Sequence, residues 1–376
     1  MRWLGFSLLA AGCVAAACWG PAQLWPTTAA PDGVYGRAGD GPSGLALLSA
    51  QAEKGALQAD VPRPASAANP PSPASPPVTA VADPFLPEVA EAACTTLLPR
   101  LPGLSRAQCV ATRLQASGTL SRQGAPLYWR DVPTHAGAAA KGQPDAEPLR
   151  VLVVGAMHGD ELTAASLALR WIGMAAAEGA ADAGEPAPVH WRFIPVHWRF
   201  IPVLNPDGLL APKPTRVNAG GVDLNRNFPT PGWAEEAPVY WEKRTRKDPR
   251  RWPGHTPLSE PESRFLHQQM DQFKPQLVVS IHAPYGVLDF DGPHDPPLRL
   301  GRLRMDKLGV FPGSLGHYGG LHRGVPVVTI ELEHALRMPP DAEVRAMWRD
   351  LRHWMNTRLL DGADAVAGVK PPGLRR

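Results

Sequence analysis

An excess of charge of either sign is missing from this sequence. Its 376 residues carry 38 Lys and Arg against 35 Asp and Glu, a formal net charge of +3. So small an excess gives no support to nucleic-acid binding, which needs a strongly basic surface. Cysteine is scarcer still. Of four residues, Cys13 and Cys18 fall in the N-terminal segment, leaving Cys94 and Cys109 in "CTTLLPRLPGLSRAQC". Nothing pairs these two with further Cys or His at ligand spacing, which excludes a zinc finger. In an oxidising compartment they read as a disulfide closing a small loop, with two free buried thiols as the alternative.

Proline and glycine are plentiful, at 44 and 36 residues. Pro and Ala crowd the stretch from Ala59 to Pro87. Such a composition cannot bury enough apolar surface to offset the entropy of ordering it. Residues 21–91 therefore read as a disordered or polyproline-like Pro/Ala-rich tether, residues 92–364 as one full-sized domain and residues 365–376 as a flexible polar tail. The opening "MRWLGFSLLAAGCVAAACWGPA" has one positive charge, an apolar run and small residues. That is the pattern of a secretory signal over residues 1–20. An uncleaved membrane anchor is the alternative, and "LAAGC" at Cys13 offers a lipoprotein variant of the signal. Each of these readings exports the chain.

Four apolar runs read as buried strands: Val151–Met157, His197–Leu204, Leu277–Ile281 and Val325–Ile330. Helical patterns separate them, and Ser259 with Glu262 fits a capping box ahead of one. Alternating strands and helices predict an α/β domain with a largely parallel central sheet, whose ligands bind beyond the carboxyl ends of the strands. The residues at those ends are chemically capable: "HGDE", "NPDG", His282 and Glu331. His158 and Glu161 form an HxxE pair, and His282 is a natural third ligand for a catalytic zinc. By itself HxxE also fits a surface His beside a helix-capping Glu. His190, His197, His255, His267, His294, His317 and His322 compete poorly as ligands. Glu331 is placed to carry a proton from water to a leaving amine, with Glu333 as alternative. A structural salt bridge is the bland reading of either. "TRVNAGGVDLNRNFP" supplies Arg216, Asn225 and Arg226, which suit carboxylate binding and stabilisation of developing negative charge. A polar loop held by ion pairs is the other reading.

The order HxxE, NPDG, "GVDLNRNFP", SIH and TIEL across Val151 to Leu332 resembles the M14 zinc carboxypeptidase superfamily. With "SEPES", "SIHAP" and "PGSLGHYGG", it is most similar to the murein peptide amidase branch. The resemblance implies a single zinc-carboxypeptidase-like domain, a mixed and largely parallel sheet flanked by helices. It implies one zinc per chain on His158, Glu161 and His282, with Glu331 as general acid/base. Arg216 corresponds to the arginine facing the scissile carbonyl, and Asn225 and Arg226 to the pair holding a terminal carboxylate. Tyr318 is the candidate aromatic lid. The implied reaction is hydrolysis of the γ-D-glutamyl to diaminopimelate bond of cell-wall peptides, outside the inner membrane. Branch members often carry Pro after "EL", and Glu333 here would add a charge at the pocket floor. Two other classes remain: an N-acyl amino acid deacylase of the aspartoacylase or succinylglutamate desuccinylase type, and a non-catalytic cell-wall binding protein.

Residues 188–203 read "PVHWRFIPVHWRFIPV", one heptad of residues written twice. A shift of seven reverses strand parity, so the two copies cannot occupy equivalent sheet positions. The copy at Pro195–Ile201 keeps a fixed distance to "NPDG" and is assigned to the sheet. The copy at Pro188–Ile194 is expected in the preceding connection as a tolerated duplication, with a binding strip as the alternative.

Overall fold

The computed structural model describes residues 86–133, 148–181 and 195–359. The signal, most of the tether, the first repeat copy and the C-terminal tail lie outside these residues. Helix α1 (Pro87–Leu97) begins with Pro in its first turn, five residues ahead of the expected domain start at Ala92. Helix α2 (Arg106–Ala111) opens with a reciprocal capping box between Ser105 and Gln108. Cys94 and Cys109 are fully buried and joined by a disulfide that ties α1 to α2. The thiol alternative is thereby set aside.

Strands β1 (Gln115–Leu120), β2 (Pro126–Pro133) and β3 (Leu149–Val154) lead into helix α3 (Leu162–Ala181) and strand β4 (Val196–Ile201). Helices α4 (Pro206–Leu210), α5 (Trp233–Val239) and α6 (Pro261–Phe273) follow. Then come β5 (Leu277–His282), β6 (Val287–Asp291), the short pair β7 (Arg299–Leu300) and β8 (Leu303–Arg304), β9 (Val327–Glu331) and helix α7 (Asp341–Trp354). Seven strands form one sheet in the order β1-β2-β4-β3-β5-β9-β6. The inner four, β4, β3, β5 and β9, run parallel, while β1, β2 and β6 join antiparallel at the edges. These inner four are the strands the apolar runs predicted. Parallel strands covered on both faces read as continuous hydrophobic runs. The edge strands gave no such signal, since β1 alternates half-buried and exposed residues.

Side-chain alternation sorts the sheet into two faces. Val151, Val153, Trp198, Phe200, Val279, Ile281, Val328 and Ile330 pack with residues of α3 and α7 in the larger core. Leu152, Val154, Val278 and Val327 pack on the other face against Phe265, Leu266 and Met270 of α6. The expected cap of α6 is corrected: Glu260 occupies the N-cap position without a side-chain bond to the helix. Ser259 instead donates to Glu260, and buried Glu262 accepts from the Arg122 amide and Asn218. The second repeat copy does form β4, as its distance to "NPDG" predicted.

Candidate active site

The HxxE motif follows β3 directly. His158 closes the strand-to-helix loop, and Glu161 immediately precedes α3. Gly159 makes this loop possible: a Cβ there would lie 2.2 Å from the backbone carbon of Gly208. "NPDG" is therefore a structural element rather than a source of site groups. Asn205 caps α4 through the Gly208 amide, and Asp207 accepts from Ser121 and the Gln123 amide.

His282 ends β5 and Glu331 ends β9, in register with each other. The sheet thus carries a histidine of the neighbouring strand beside the carboxylate, on the α6 face. His158, Glu161 and His282 are all buried, and their ligand atoms lie within 4.8 Å of one another. His158 Nδ1 sits 2.7 Å from Glu161 Oε1, His282 Nδ1 sits 2.9 Å from Glu161 Oε2, and the two Nδ1 atoms are 3.1 Å apart. Ligands arranged tetrahedrally about zinc at about 2.0–2.1 Å stand only a few tenths of an ångström further apart. Two imidazoles and one carboxylate, leaving a further position, are also the donor set of a catalytic zinc. The residues fit the metal.

Each histidine is held through its other nitrogen, the arrangement that orients metal ligands. His158 Nε2 faces Asp223 Oδ1 at 3.1 Å, and His282 Nε2 faces Ser280 Oγ at 3.0 Å. Asp223 is wholly buried, and the Arg216 guanidinium engages its second oxygen at 3.0 Å. Burial alone would raise the Asp223 carboxyl, but Arg216 and His158 outweigh it and hold it well below the ordinary range. Glu161 is likewise held far down by His158 and His282 against the opposing effect of burial. Neither Asp223 nor Ser280 was assigned a role from sequence. Asp223 sits inside the quoted "GVDLNRNFP", and Ser280 is two residues before His282, on the same sheet face.

A cavity of about 400 Å³ opens beside these residues. His158, His282, Glu331, Arg216, Asn225 and Arg226 all line it, so six of the eight expected site residues meet in one place. Glu161 lies behind, bonded to both histidines. Glu331 is 7% exposed, and its Oε2 has no hydrogen-bond partner among the described residues. Burial, reinforced by the nearby Glu161 charge, pushes its carboxyl up despite the two histidines. Asn225 is fixed by the Leu315 amide, which donates to its Oδ1 at 2.8 Å. Arg226 is 5% exposed and stacks 4.5 Å over Phe311, and its Nε has no partner among the described residues. Burial together with Arg216 and Arg251 brings its guanidinium down to about 10, against the pull of Asp223. It stays charged at neutral pH.

Two expectations need correction. Tyr318 lies in a π-helical turn, Gly316–His322, on the α6 side of the sheet. It is 2% exposed, stacked on Phe228, with its hydroxyl engaged by His267 and Arg323. That is core packing, and Tyr318 does not reach the cavity. The aromatic side chains that do are Tyr240, Phe311 and Tyr285, the last 60% exposed. Glu333 is exposed, lies beyond the end of β9 and does not line the cavity floor. The acidic groups there are Asp289 and Asp291 of β6.

Residues 108–291 match the Peptidase_M14 family, zinc carboxypeptidase. Over this stretch, just under half of the chain, the sequence matches the M14 zinc carboxypeptidase family, and His158, Glu161 and His282 form the His-Glu-His trio of a single zinc site. It is a distant homologue of murein peptide amidase A. With the Vibrio campbellii protein it shares 33% identity over 135 residues, 31% of this chain and 50% of that one. With the Escherichia coli protein it shares 41% over 88 residues, 23% of this chain and 36% of that one. The chain thus spans half or less of the curated relatives it matches. Among solved structures, the murein-tripeptide amidase of Escherichia coli aligns at a TM-score of 0.40 and 22% identity, covering 69% of this chain and 93% of that one. The carboxypeptidase A of Helicoverpa armigera aligns at 0.47 and 16% identity, covering 75% and 81%.

Proposed function

We propose that this zinc peptidase hydrolyses the amide bond next to a residue with a free carboxylate in cell-wall murein peptides, with Glu331 as general acid/base. One observation carries the reading. A single cavity unites the His-Glu-His trio, a buried carboxylate without a partner and a buried guanidinium with an unpaired Nε. His158, Glu161 and His282 would hold the zinc. When bound, zinc supplies Lewis-acid chemistry, polarising a carbonyl and acidifying water. Glu331 Oε2 takes the proton of the attacking water and delivers it to the departing amine nitrogen. Its burial raises the carboxylate's proton affinity, which suits the proton-accepting half of that task. Arg216, held by Asp223, presents fixed positive charge to the carbonyl oxygen as negative charge develops there. Arg226 and the Asn225 amide hold the substrate's free carboxylate, a charge-assisted contact that sets which bond lies at Glu331.

Likeness to two murein peptide amidases supports the γ-D-glutamyl to diaminopimelate bond as the target. The N-terminal signal pattern supports action outside the inner membrane, with the tether carrying the domain. Among the described residues no helix is long and apolar enough to cross a membrane.

Incubating zinc-loaded protein with defined muropeptides and identifying the products by mass spectrometry tests this reading. Release of diaminopimelate from the free tripeptide, and none from its C-terminally amidated form, is expected. Cleavage of N-acyl amino acids but of no peptide would replace it with the deacylase reading.

A further inference from the structure

The catalytic cavity does not end at Arg216. A second groove of about 560 Å³ adjoins it, and Arg216 lines both. The groove's other walls are largely apolar, built from Trp241, Trp252, Pro214, Pro249 and Val217. Residues 240–252 contribute to both spaces. Tyr240, Arg244, Asp248 and Arg251 line the catalytic cavity, while Trp241, Pro249, Arg250 and Trp252 line the groove. Arg250 reaches from this segment to Asp160, the aspartate of "HGDE", at 2.9 Å. The groove is thus fastened to the loop that carries His158 and Glu161. Apart from Arg216, none of its residues has a part in the chemistry assigned above.

The direction of a bound chain follows from the cavity. With Arg226 and Asn225 on the terminal carboxylate and Arg216 on the scissile carbonyl, the acyl half of the substrate leaves past Arg216. The two tryptophans of the groove are held in place. Trp241 Nε1 donates to the Asp248 carbonyl at 2.8 Å, and the Trp252 ring stands edge-on to His255, with centroids 4.8 Å apart. Both are only partly buried. Rings fixed beforehand lose little freedom when a ligand binds. A partly exposed indole offers a flat apolar face, which matches the C–H face of a pyranose ring while the sugar hydroxyls stay in water. Charge narrows the occupant further. The ionisable groups of the groove are all cations, Lys213, Arg216 and Arg250, and no carboxylate lines it. Lys213 has no ion pair among the described residues. A free N-terminal ammonium is repelled in such a groove, whereas an acylated, neutral amine is not. The free α-carboxylate of a γ-linked glutamate is attracted to it.

We propose that this groove is a saccharide subsite, which holds the muramyl ring of stem peptides still joined to their sugar. The chain from the carbonyl of a γ-glutamyl bond to that ring spans about eleven bonds, roughly 13 Å when extended. That is long enough to pass Arg216 into the groove. The protein then prefers sugar-linked peptides to free ones. Contacts made equally before and during the chemical step lower KM and leave kcat nearly unchanged. This inference rests on the peptidase reading above.

The test uses one tripeptide, alanyl-γ-D-glutamyl-diaminopimelate, in three forms: with a free amino terminus, acetylated, and N-acetylmuramyl-linked. Zinc-loaded protein is expected to show a KM for the muramyl form at least tenfold below that for the acetylated form, at similar kcat. Trp241→Ala and Trp252→Ala should each raise the muramyl KM to the acetylated value and leave the acetylated peptide unchanged. Calorimetry on the wild type supplies a second readout that needs neither turnover nor a variant. Muramyl-alanyl-γ-glutamate should bind at least tenfold more tightly than acetyl-alanyl-γ-glutamate. Equal KM and equal affinity for the muramyl and acetylated forms, or a muramyl preference that survives both tryptophan substitutions, overturns the saccharide subsite while leaving the peptidase reading intact. Cleavage of none of the three peptides by fully zinc-loaded protein overturns both.

Discussion

Glu331 and Glu333 are two residues apart, and their surroundings separate their roles. Glu331 is buried in the cavity beside His282, whereas Glu333 is exposed past the strand end. Glu331→Gln should keep zinc and fold while lowering kcat about 10²–10⁴-fold, the usual worth of a positioned proton carrier. Glu333→Gln should stay within about threefold of wild type. Steady-state kinetics on one peptide checks both, and the reverse ranking would move the proton-carrying role to Glu333. At this scale the ligand set was legible because HxxE and SIH sit at strand ends, where the backbone fixes direction. Asp223 was not, since a carboxylate in an irregular turn has no periodicity to announce which nitrogen it faces. Tyr318 misled for a related reason. "GHYGG" reads as a Gly-rich loop, but the chain coils it into a turn that buries the ring on Phe228.

At the scale of the element, β4 shows what the repeated heptad contributes once it is in the sheet. Val196, Trp198 and Phe200 are fully buried in the larger core. Arg199, on the other face, sits directly across from Asp131 of β2 and grips it with two bonds of 2.7 and 2.6 Å. Its guanidinium also lies 4.2 Å over Trp129 and 4.4 Å over Phe273. Burial would raise the Asp131 carboxyl, but the hydrogen bond from Arg199, with His197, more than reverses this and lowers it. A carboxylate with a depressed native pKa adds stability above its unfolded value of about 3.9 and loses it as pH falls through the native value. Arg199→Ala should therefore cost about 1–2 kcal/mol at pH 7, allowing for partial exposure of the pair. The cost should shrink below about pH 4. Urea midpoints at the two pH values check this, and a pH-independent cost would assign the loss to aromatic packing alone. Strands β3, β5 and β9 were legible because they are largely apolar on both faces, and β4 because Val196, Trp198 and Phe200 alternate along one. The edge strands β1, β2 and β6 were not, since Pro, Gly and Asp interrupt them and only their neighbours' hydrogen bonds hold them extended.

At the scale of the whole molecule, the parallel sheet gathers groups from residue 158 to residue 331 at one end of its strands. The Cys94–Cys109 disulfide, which secures α1 to α2, lies outside that cavity. Closing a loop with a sequence separation of 15 removes unfolded-state entropy worth about 3 kcal/mol. Cys94→Ala/Cys109→Ala should lower stability by about that amount with little change in kcat, as thermal melts alongside kinetics would show. A large loss of kcat in the still-folded variant would instead couple this region to the cavity. The overall class was legible because five short motifs occur in a fixed order. The place of Asp289 and Asp291 in the cavity was not, because it depends on how β6 registers against β9. The most direct test of the account is zinc content per chain, measured by atomic emission after dialysis, for wild type, His158→Ala, His282→Ala and Glu331→Gln. The account predicts one zinc in the wild type and in Glu331→Gln, and loss of the metal in both histidine variants. Full zinc in either histidine variant, or none in carefully purified wild-type protein, would contradict it.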